Sequence, residues 1–258
     1  MNHPIIEYLY FLLKSTNQHG VHSPFIYNLT TKCFYTKQNH KLWDRFKKVK
    51  QQLLENKKVI KVTDFGSGSK VFKSNKRKVS KIAKIAGISS KKAKTLIKIV
   101  DYFKPTNILE IGTSIGLGTS AIKIANKNAL ITTLEGCTET SKIANDLFIN
   151  NKFDKINIIT GGFKTTLPQT VKNNKFDFIY FDGNHTKTST LHYFETCLET
   201  TNNNSVWIFD DIYWSDEMKQ AWIEIKKHNK VTVTVDVFHF GIVFFRKEQA
   251  KEHFKIRV

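Results

Sequence analysis

The sequence predicts an α/β fold. It reads as a mostly parallel sheet covered by helices, with its last strand antiparallel and a basic, mainly helical extension in front. Three observations lead there. From Pro105 onward, β-rich runs alternate with helix-patterned stretches, the signature of a parallel sheet. Near the end, two β-rich runs follow each other directly across Phe238-His239-Phe240, which makes a hairpin. Before Pro105, apolar residues recur at helical spacing among many lysines.

The elements follow in order. Ile5, Ile6, Leu9, Leu12 and Leu13 share one face of a first helix. Ser23-Pro24 supplies an N-cap and first-turn proline for a second, carrying Phe25, Ile26 and Leu29. A third runs from about Lys41 to Lys57, with Trp43, Phe46, Val49 and Leu53 on one side. A strand-like run over Val59–Val62 leads into Asp64-Phe-Gly-Ser-Gly-Ser69, and two Lys-rich amphipathic segments follow, one around Val79, Ile82 and Ile85 and one around Ala93, Leu96, Ile97 and Val100. The predicted strands of the sheet are Asn107–Ile111, Leu130–Leu134, Ile156–Thr160, Phe176–Phe181 and Ser205–Phe209, then the hairpin of Val231–Val237 and Gly241–Phe245. The connection around Phe163–Asn174 is the one without a clear helical pattern. We place the extension at residues 1–75 and the α/β domain at 76–258.

Composition narrows the function classes. The chain has 258 residues, with 41 Lys+Arg against 22 Asp+Glu and a formal net charge of +19. Residues 1–104 hold 23 of the basic and 5 of the acidic residues, so nearly all the imbalance lies there. Three scattered cysteines (Cys33, Cys137, Cys197) exclude a disulfide framework and a Cys-rich zinc site. The apolar run Ile5–Leu13 is too short to span a bilayer and lacks the flanks of a signal peptide, so a cytoplasmic protein is expected.

The chemistry-bearing residues lie in the near-neutral part. After the strand at 107–111, Glu110-Ile-Gly-Thr-Ser-Ile-Gly-Leu-Gly118 opens a helix, with glycines that permit a tight turn and close ligand approach. The spacing is neither that of a pyrophosphate-binding loop nor that of an NTPase loop. Glu110 suits a ligand with a cationic or hydroxyl-bearing end, and Glu135, at the tip of the next strand, is placed to accept ribose hydroxyls. Together these indicate a nucleoside cofactor.

The run Leu109-Glu-Ile-Gly-Thr-Ser-Ile-Gly-Leu-Gly-Thr-Ser120 resembles the first motif of class I S-adenosylmethionine-dependent methyltransferases, in the form found in catechol-O-methyltransferase-like enzymes. The resemblance covers roughly residues 80–250 and implies a Rossmann-like, seven-stranded sheet. His19-Gly-Val-His-Ser-Pro-Phe25 and the Asp64–Ser69 run are similar to a bacterial branch of such proteins. It implies that Gly112, Thr113, Ser114 and Gly116 line the methionine part of the cofactor and that Glu135 holds the ribose. Gly162 and Phe163 stand where the family contacts adenine, without its usual acidic residue. Asp64–Ser69 is a competing cofactor loop, but no second strand ending in an acid follows it.

Asp182 and His185 follow the fourth predicted parallel strand, and Asp210 and Asp211 end the fifth. Three carboxylates at one sheet edge repel unless a cation, an amine or a proton neutralises them, and Mg²⁺ with oxygen ligands is one solution. The resembled enzymes place metal ligands where Asp182, Asp210 and Asp211 stand, the last replacing an Asn, and a basic Lys where His185 stands. His185 is then the expected general base, with Asp182 in both the cofactor and the catalytic set. The alternative is that Asp182 touches only the cofactor while Asp210 or Asp211 caps a helix. Tyr213, Trp214 and Trp222 could wall an aromatic pocket, although a Trp at the helical spacing of Trp222 is more often core.

The expected activity is therefore O-methylation of a small hydroxylated acceptor, with divalent-metal assistance as an option. RNA methylation through the basic N-terminal part is one alternative. A non-catalytic anion-binding module on the same fold is the other. The sequence does not set the oligomeric state, and a homodimer is one option.

Overall fold

The computed structural model describes residues 3–63, 65, 74–172 and 174–258. In chain order its elements are α1 (His3–Lys14), α2 (Pro24–Leu29), α3 (His40–Glu55), β1 (Val59–Lys61), β2 (Lys76–Lys78), α4 (Val79–Ile85) and α5 (Ser90–Phe103). There follow β3 (Asn107–Ile111), α6 (Leu117–Ala125), β4 (Leu130–Glu135), α7 (Thr138–Asn150), β5 (Ile156–Thr160) and α8 (Phe163–Lys172). The remainder comprises β6 (Phe178–Phe181), α9 (Lys187–Cys197), β7 (Val206–Asp210), α10 (Asp216–Lys227), β8 (Val233–Asp236), β9 (Phe240–Phe244) and β10 (Glu252–Lys255). Two compact units divide the chain: Lys37–Thr170, and Met1–Thr36 with Val171–Val258.

In the unit Lys37–Thr170, β3, β4 and β5 pair in parallel, with Asn107 opposite Leu130 and Ile131 opposite Ile156. β3 is apolar on both faces, with Ile108, Leu109 and Ile111 buried, as a covered parallel strand requires. Every residue of α6 is buried. Helix α5 starts on the Ser89 cap, buries Ala93, Leu96, Ile97, Ile99 and Val100, and ends at Lys104 in a left-handed turn before Pro105. The asparagine cap Asn39 opens α3, whose Phe46, Val49 and Leu53 form its buried stripe. β1 and β2 make a separate two-stranded antiparallel ribbon. The connection at 163–174 proves helical as α8, despite Pro168 inside it, which removes one backbone donor. Of the Asp64–Ser69 loop only Phe65 is among the described residues; the rest of that loop lies outside them.

In the unit Met1–Thr36 with Val171–Val258, β6 and β7 are parallel, β9 is antiparallel to β7, and β8 closes the hairpin antiparallel to β9. The predicted antiparallel strand is thus present. Trp207, Phe209, Tyr180, Phe240 and Phe244 form the aromatic core. Gly241 makes room for Trp222, since a Cβ there would lie 2.7 Å from its ring. The Ser23 hydroxyl caps α2, as the Ser-Pro pair predicts. Helix α1 is fixed by buried Phe11 and by an ion pair of 2.6 Å between Glu7 and Lys219.

The sheet has eight strands rather than the seven expected. The eighth is β10, an edge strand parallel to β8. It contributes only Phe254 to the core, with Ile256 just beyond it, so its sequence lacks the apolar run of the others.

Candidate functional site

The site residues of Lys37–Thr170 are built around the turn that leaves β3. Gly112, Ser114 and Gly116 all have positive φ (110°, 50° and 86°), which makes three left-handed residues in five. The turn is tied to β4, because Gly112 N and Thr113 N both donate to Leu134 O at 3.0 and 3.1 Å. Gly116 begins α6, and a Cβ there would meet the Phe148 ring at 2.8 Å. Only glycine satisfies both the backbone and the packing.

Glu135 at the tip of β4 faces this turn. Its Oε2 accepts from Ser114 N at 2.6 Å, and its Oε1 accepts from Cys137 N at 2.8 Å and Thr140 Oγ1 at 3.0 Å. Burial pushes the carboxyl above its ordinary range, while the backbone and Thr140 donors pull the other way. A carboxylate has about four acceptor positions. Ser114 N, Cys137 N and Thr140 Oγ1 already engage both oxygens, which fixes the carboxylate beside the turn. Gly161 N donates to Glu135 O at 2.9 Å, which brings Gly162 and Phe163 next to the same strand tip. Around Gly162 nothing lies within 4 Å of where a Cβ would stand, so that position is open.

Glu110 differs from the expectation of a carboxylate exposed to a ligand. It is fully buried. Its Oε2 accepts from the hydroxyls of Thr119 and Thr133, the latter at 2.6 Å, and Thr133 shares a 2.5 Å hydrogen bond with Thr113. Oε1 has no hydrogen-bond partner among the described residues. Burial raises the pKa to about 7; the two threonine hydrogen bonds lower it, and the charge of Glu135 raises it slightly. Glu110 therefore holds the turn from behind, through Thr133 and Thr113.

The second group of residues belongs to the other unit. Phe178–Phe181 are all buried and carry Asp182 to the end of β6. The register pairs Phe181 with Phe209, so Asp182 and Asp210 occupy neighbouring strand ends. His185 Nε2 lies 3.6 Å from Asp182 Oδ1, and each side chain is about a quarter exposed. Asn184 and His185 have φ of 71° and 36°, and Asn184 Nδ2 donates to Ser189 Oγ at 2.9 Å and Tyr193 OH at 3.2 Å. This strained turn presents the imidazole beside the carboxylate. Asp210 is buried and its Oδ1 accepts from Asp211 N at 2.9 Å; Asp211 N also points to His239 O at 3.1 Å. Asp211 itself is left-handed, with φ 54°.

The comparisons turn on this stretch. Residues 109–212 match the family model described as a methyltransferase domain. That span takes in Glu110, Gly112, Glu135, Gly162, Asp182, His185, Asp210 and Asp211. No curated protein matches the chain. Among solved structures, an O-methyltransferase from Bacillus cereus, in complex with SAH, is similar at 22% identity and TM-score 0.52, over 61% of this chain and 82% of that one. The SAH-bound Podospora anserina methyltransferase PaMTH1 is similar at 14% identity and TM-score 0.59, over 88% and 97%. The O-methyltransferase TomG from Streptomyces achromogenes, in complex with SAM, is similar at 17% identity and TM-score 0.54, over 62% and 81%.

Residues 109–212 include Asp182, Asp210 and Asp211, the three aspartates expected as metal ligands. Among the described residues no group of three or more His, Cys, Asp or Glu side chains converges in a way that could hold a metal ion. Asp182 stands beside His185, and Asp210 receives the following backbone N–H.

Of the aromatic residues following β7, Trp222 is core, packed on Gly241. Tyr213 is buried, stacks on Phe238 at 5.3 Å and donates to Asp236. Only Trp214 is exposed. Sequence reasoning missed Thr140, Thr133 and Thr119, the hydroxyls that hold the two glutamates, and it missed Asp236. A threonine near a strand tip carries no signal until the register is known.

Proposed function

We propose that the protein is an S-adenosylmethionine-dependent O-methyltransferase acting on a small hydroxylated molecule. The observation that carries this reading is the left-handed Gly112–Gly116 turn clamped to Glu135 inside the methyltransferase-domain match. The bound cofactor supplies an electrophilic methyl group on a sulfonium. The chain's own residues do the rest. Backbone at Gly112, Thr113, Ser114 and Gly116 cradles the methionine part, Glu135 accepts a ribose hydroxyl, and Gly162 and Phe163 border the adenine.

His185 removes the proton from the acceptor hydroxyl. Asp182, 3.6 Å from Nε2, orients the ring and stabilises the imidazolium that forms. Holding acceptor and methyl carbon in line supplies on the order of 7–11 kcal/mol in favourable cases. Removal of a general base costs typically about 10²–10⁴-fold in rate.

The experiment is transfer of labelled methyl from S-adenosylmethionine into fractionated cell extract, with wild type and His185→Ala compared. Label is expected in the small-molecule fraction, with transfer by the variant slowed about 10²–10⁴-fold. Label confined to RNA, or equal rates for both proteins, contradicts the proposal.

A further inference from the structure

The β1–β2 ribbon carries a feature that methyl transfer does not use. Between residues 56 and 100 the sequence has fourteen Lys or Arg and a single acid, Asp64. The ribbon sorts part of this charge onto one face. Ile60 is buried and faces inward, with Arg77 opposite it. On the outward face Lys61 stands directly opposite Lys76, and Val59 directly opposite Lys78. Residues opposite each other in an antiparallel pair have Cβ atoms about 4.5–5.5 Å apart, and like charges there are destabilising. Lys61, Lys76 and Lys78 are exposed and form no ion pair among the described residues. Lys81 and Lys84, exposed on one face of α4 immediately after the ribbon, likewise have none.

A fold that keeps two lysines face to face pays in stability for a positive surface that nothing in the described residues neutralises. Most apolar side chains here are turned inward: β1 buries Ile60, and α4 buries Val79, Ile82 and Ala83, so that Val59, Phe65 and Ile85 are the exposed ones among the described residues of this stretch, too few for the continuous apolar face of a membrane-binding helix. Val59 is exposed at 57%, but it is surrounded by lysines rather than forming an apolar face. We infer that these exposed lysines, Lys61, Lys76 and Lys78 of the ribbon with Lys81 and Lys84 of the helix that follows it, bind the phosphodiester backbone of a nucleic acid. Lysines act there as point charges, contacting phosphates without reading bases. Binding is therefore salt-dependent and indifferent to sequence. This inference is independent of the methyl-transfer reading and stands or falls without it.

The test is fluorescence anisotropy of labelled single-stranded 20-mers, RNA and DNA, each in two unrelated sequences, titrated at several salt concentrations. Wild type is expected to bind both sequences equally, with affinity falling linearly on a log–log salt plot. The tighter polymer names the source. Neutralising Lys61, Lys76 and Lys78 together with Gln is expected to flatten the slope by about 2, at about 0.7 per phosphate contact on single strands. Lys61→Glu separates binding from folding: it turns a repulsive cross-strand pair into an attractive one, so thermal stability should hold or rise while nucleic-acid affinity falls. Slopes and affinities unchanged in both variants overturn the inference. So does binding of wild type to phosphatidylcholine–phosphatidylserine vesicles with no binding to either polymer.

Discussion

Replacing Glu110 with Gln isolates the electrostatic cost of the buried carboxyl behind the Gly112–Gly116 turn. In the folded protein this group has a pKa of about 7 against an ordinary 4.5, chiefly because burial disfavours the ion. Between those values the folded state binds more protons than the unfolded chain, so stability falls as pH rises. The contribution is fully present below pH 4.5 and is lost as pH climbs through 7. At about 1.4 kcal/mol per pH unit the whole loss is about 3 kcal/mol, of which about 2.5 kcal/mol falls between pH 5 and pH 8.

Gln keeps an acceptor for Thr119 and Thr133 and puts its amide where Oε1 has no partner. Any cost of burying that N–H is the same at every pH. Urea unfolding of both proteins at pH 5 and pH 8 supplies the comparison. The variant is expected to gain about 2–3 kcal/mol on wild type across that interval. Glu135 and Asp236 also have pKa values raised by burial, but they are common to both proteins. A stability difference that does not change with pH refutes the assignment of an elevated pKa to Glu110.

Two further substitutions probe the framework. Gly116→Ala places a side chain at φ 86° and 2.8 Å from the Phe148 ring. It should cost about 1–2 kcal/mol for the backbone and about 1–3 kcal/mol for displacing the ring, read as a lowered melting temperature. Tyr213→Phe removes the hydroxyl that donates to buried Asp236, leaving it Phe238 N at 2.8 Å and Lys255 at 3.7 Å. A loss of about 1–3 kcal/mol in chemical unfolding is expected, and an unchanged midpoint would show that the hydroxyl is not engaged.

Most strands of the sheet were legible from the sequence alone. Asn107–Ile111 and Ile156–Thr160 appear with the predicted bounds, and the hairpin is where Phe238-His239-Phe240 indicated. β10 was not legible, because Glu252-His-Phe-Lys255 offers a single buried apolar residue and draws its order from pairing with β8. α8 was hidden by Pro168, which local propensity counts against a helix. At the site, the glycines and acids could be located by position, since a strand tip before a Gly turn is a recurring place for a ligand. What each acid does could not, because it depends on partners brought by register. Glu110 and Glu135 are both acids near the start of a turn, yet one is sealed behind Thr119 and Thr133 and the other clamps Ser114. Likewise Asp182, Asp210 and Asp211 share an edge in sequence terms, but Asp182 pairs with His185 and Asp210 receives a backbone N–H.

In the proposed function the turn at Gly112–Gly116 and Glu135 form a nucleoside-cofactor site. Isothermal titration calorimetry of S-adenosylmethionine into wild type and into Glu135→Ala tests it most directly. One site is expected in wild type and at least a tenfold weaker one in the variant, the loss of a charged acceptor being worth about 1.5–3 kcal/mol. No heat of binding in folded wild type, or equal affinity in both proteins, would contradict it.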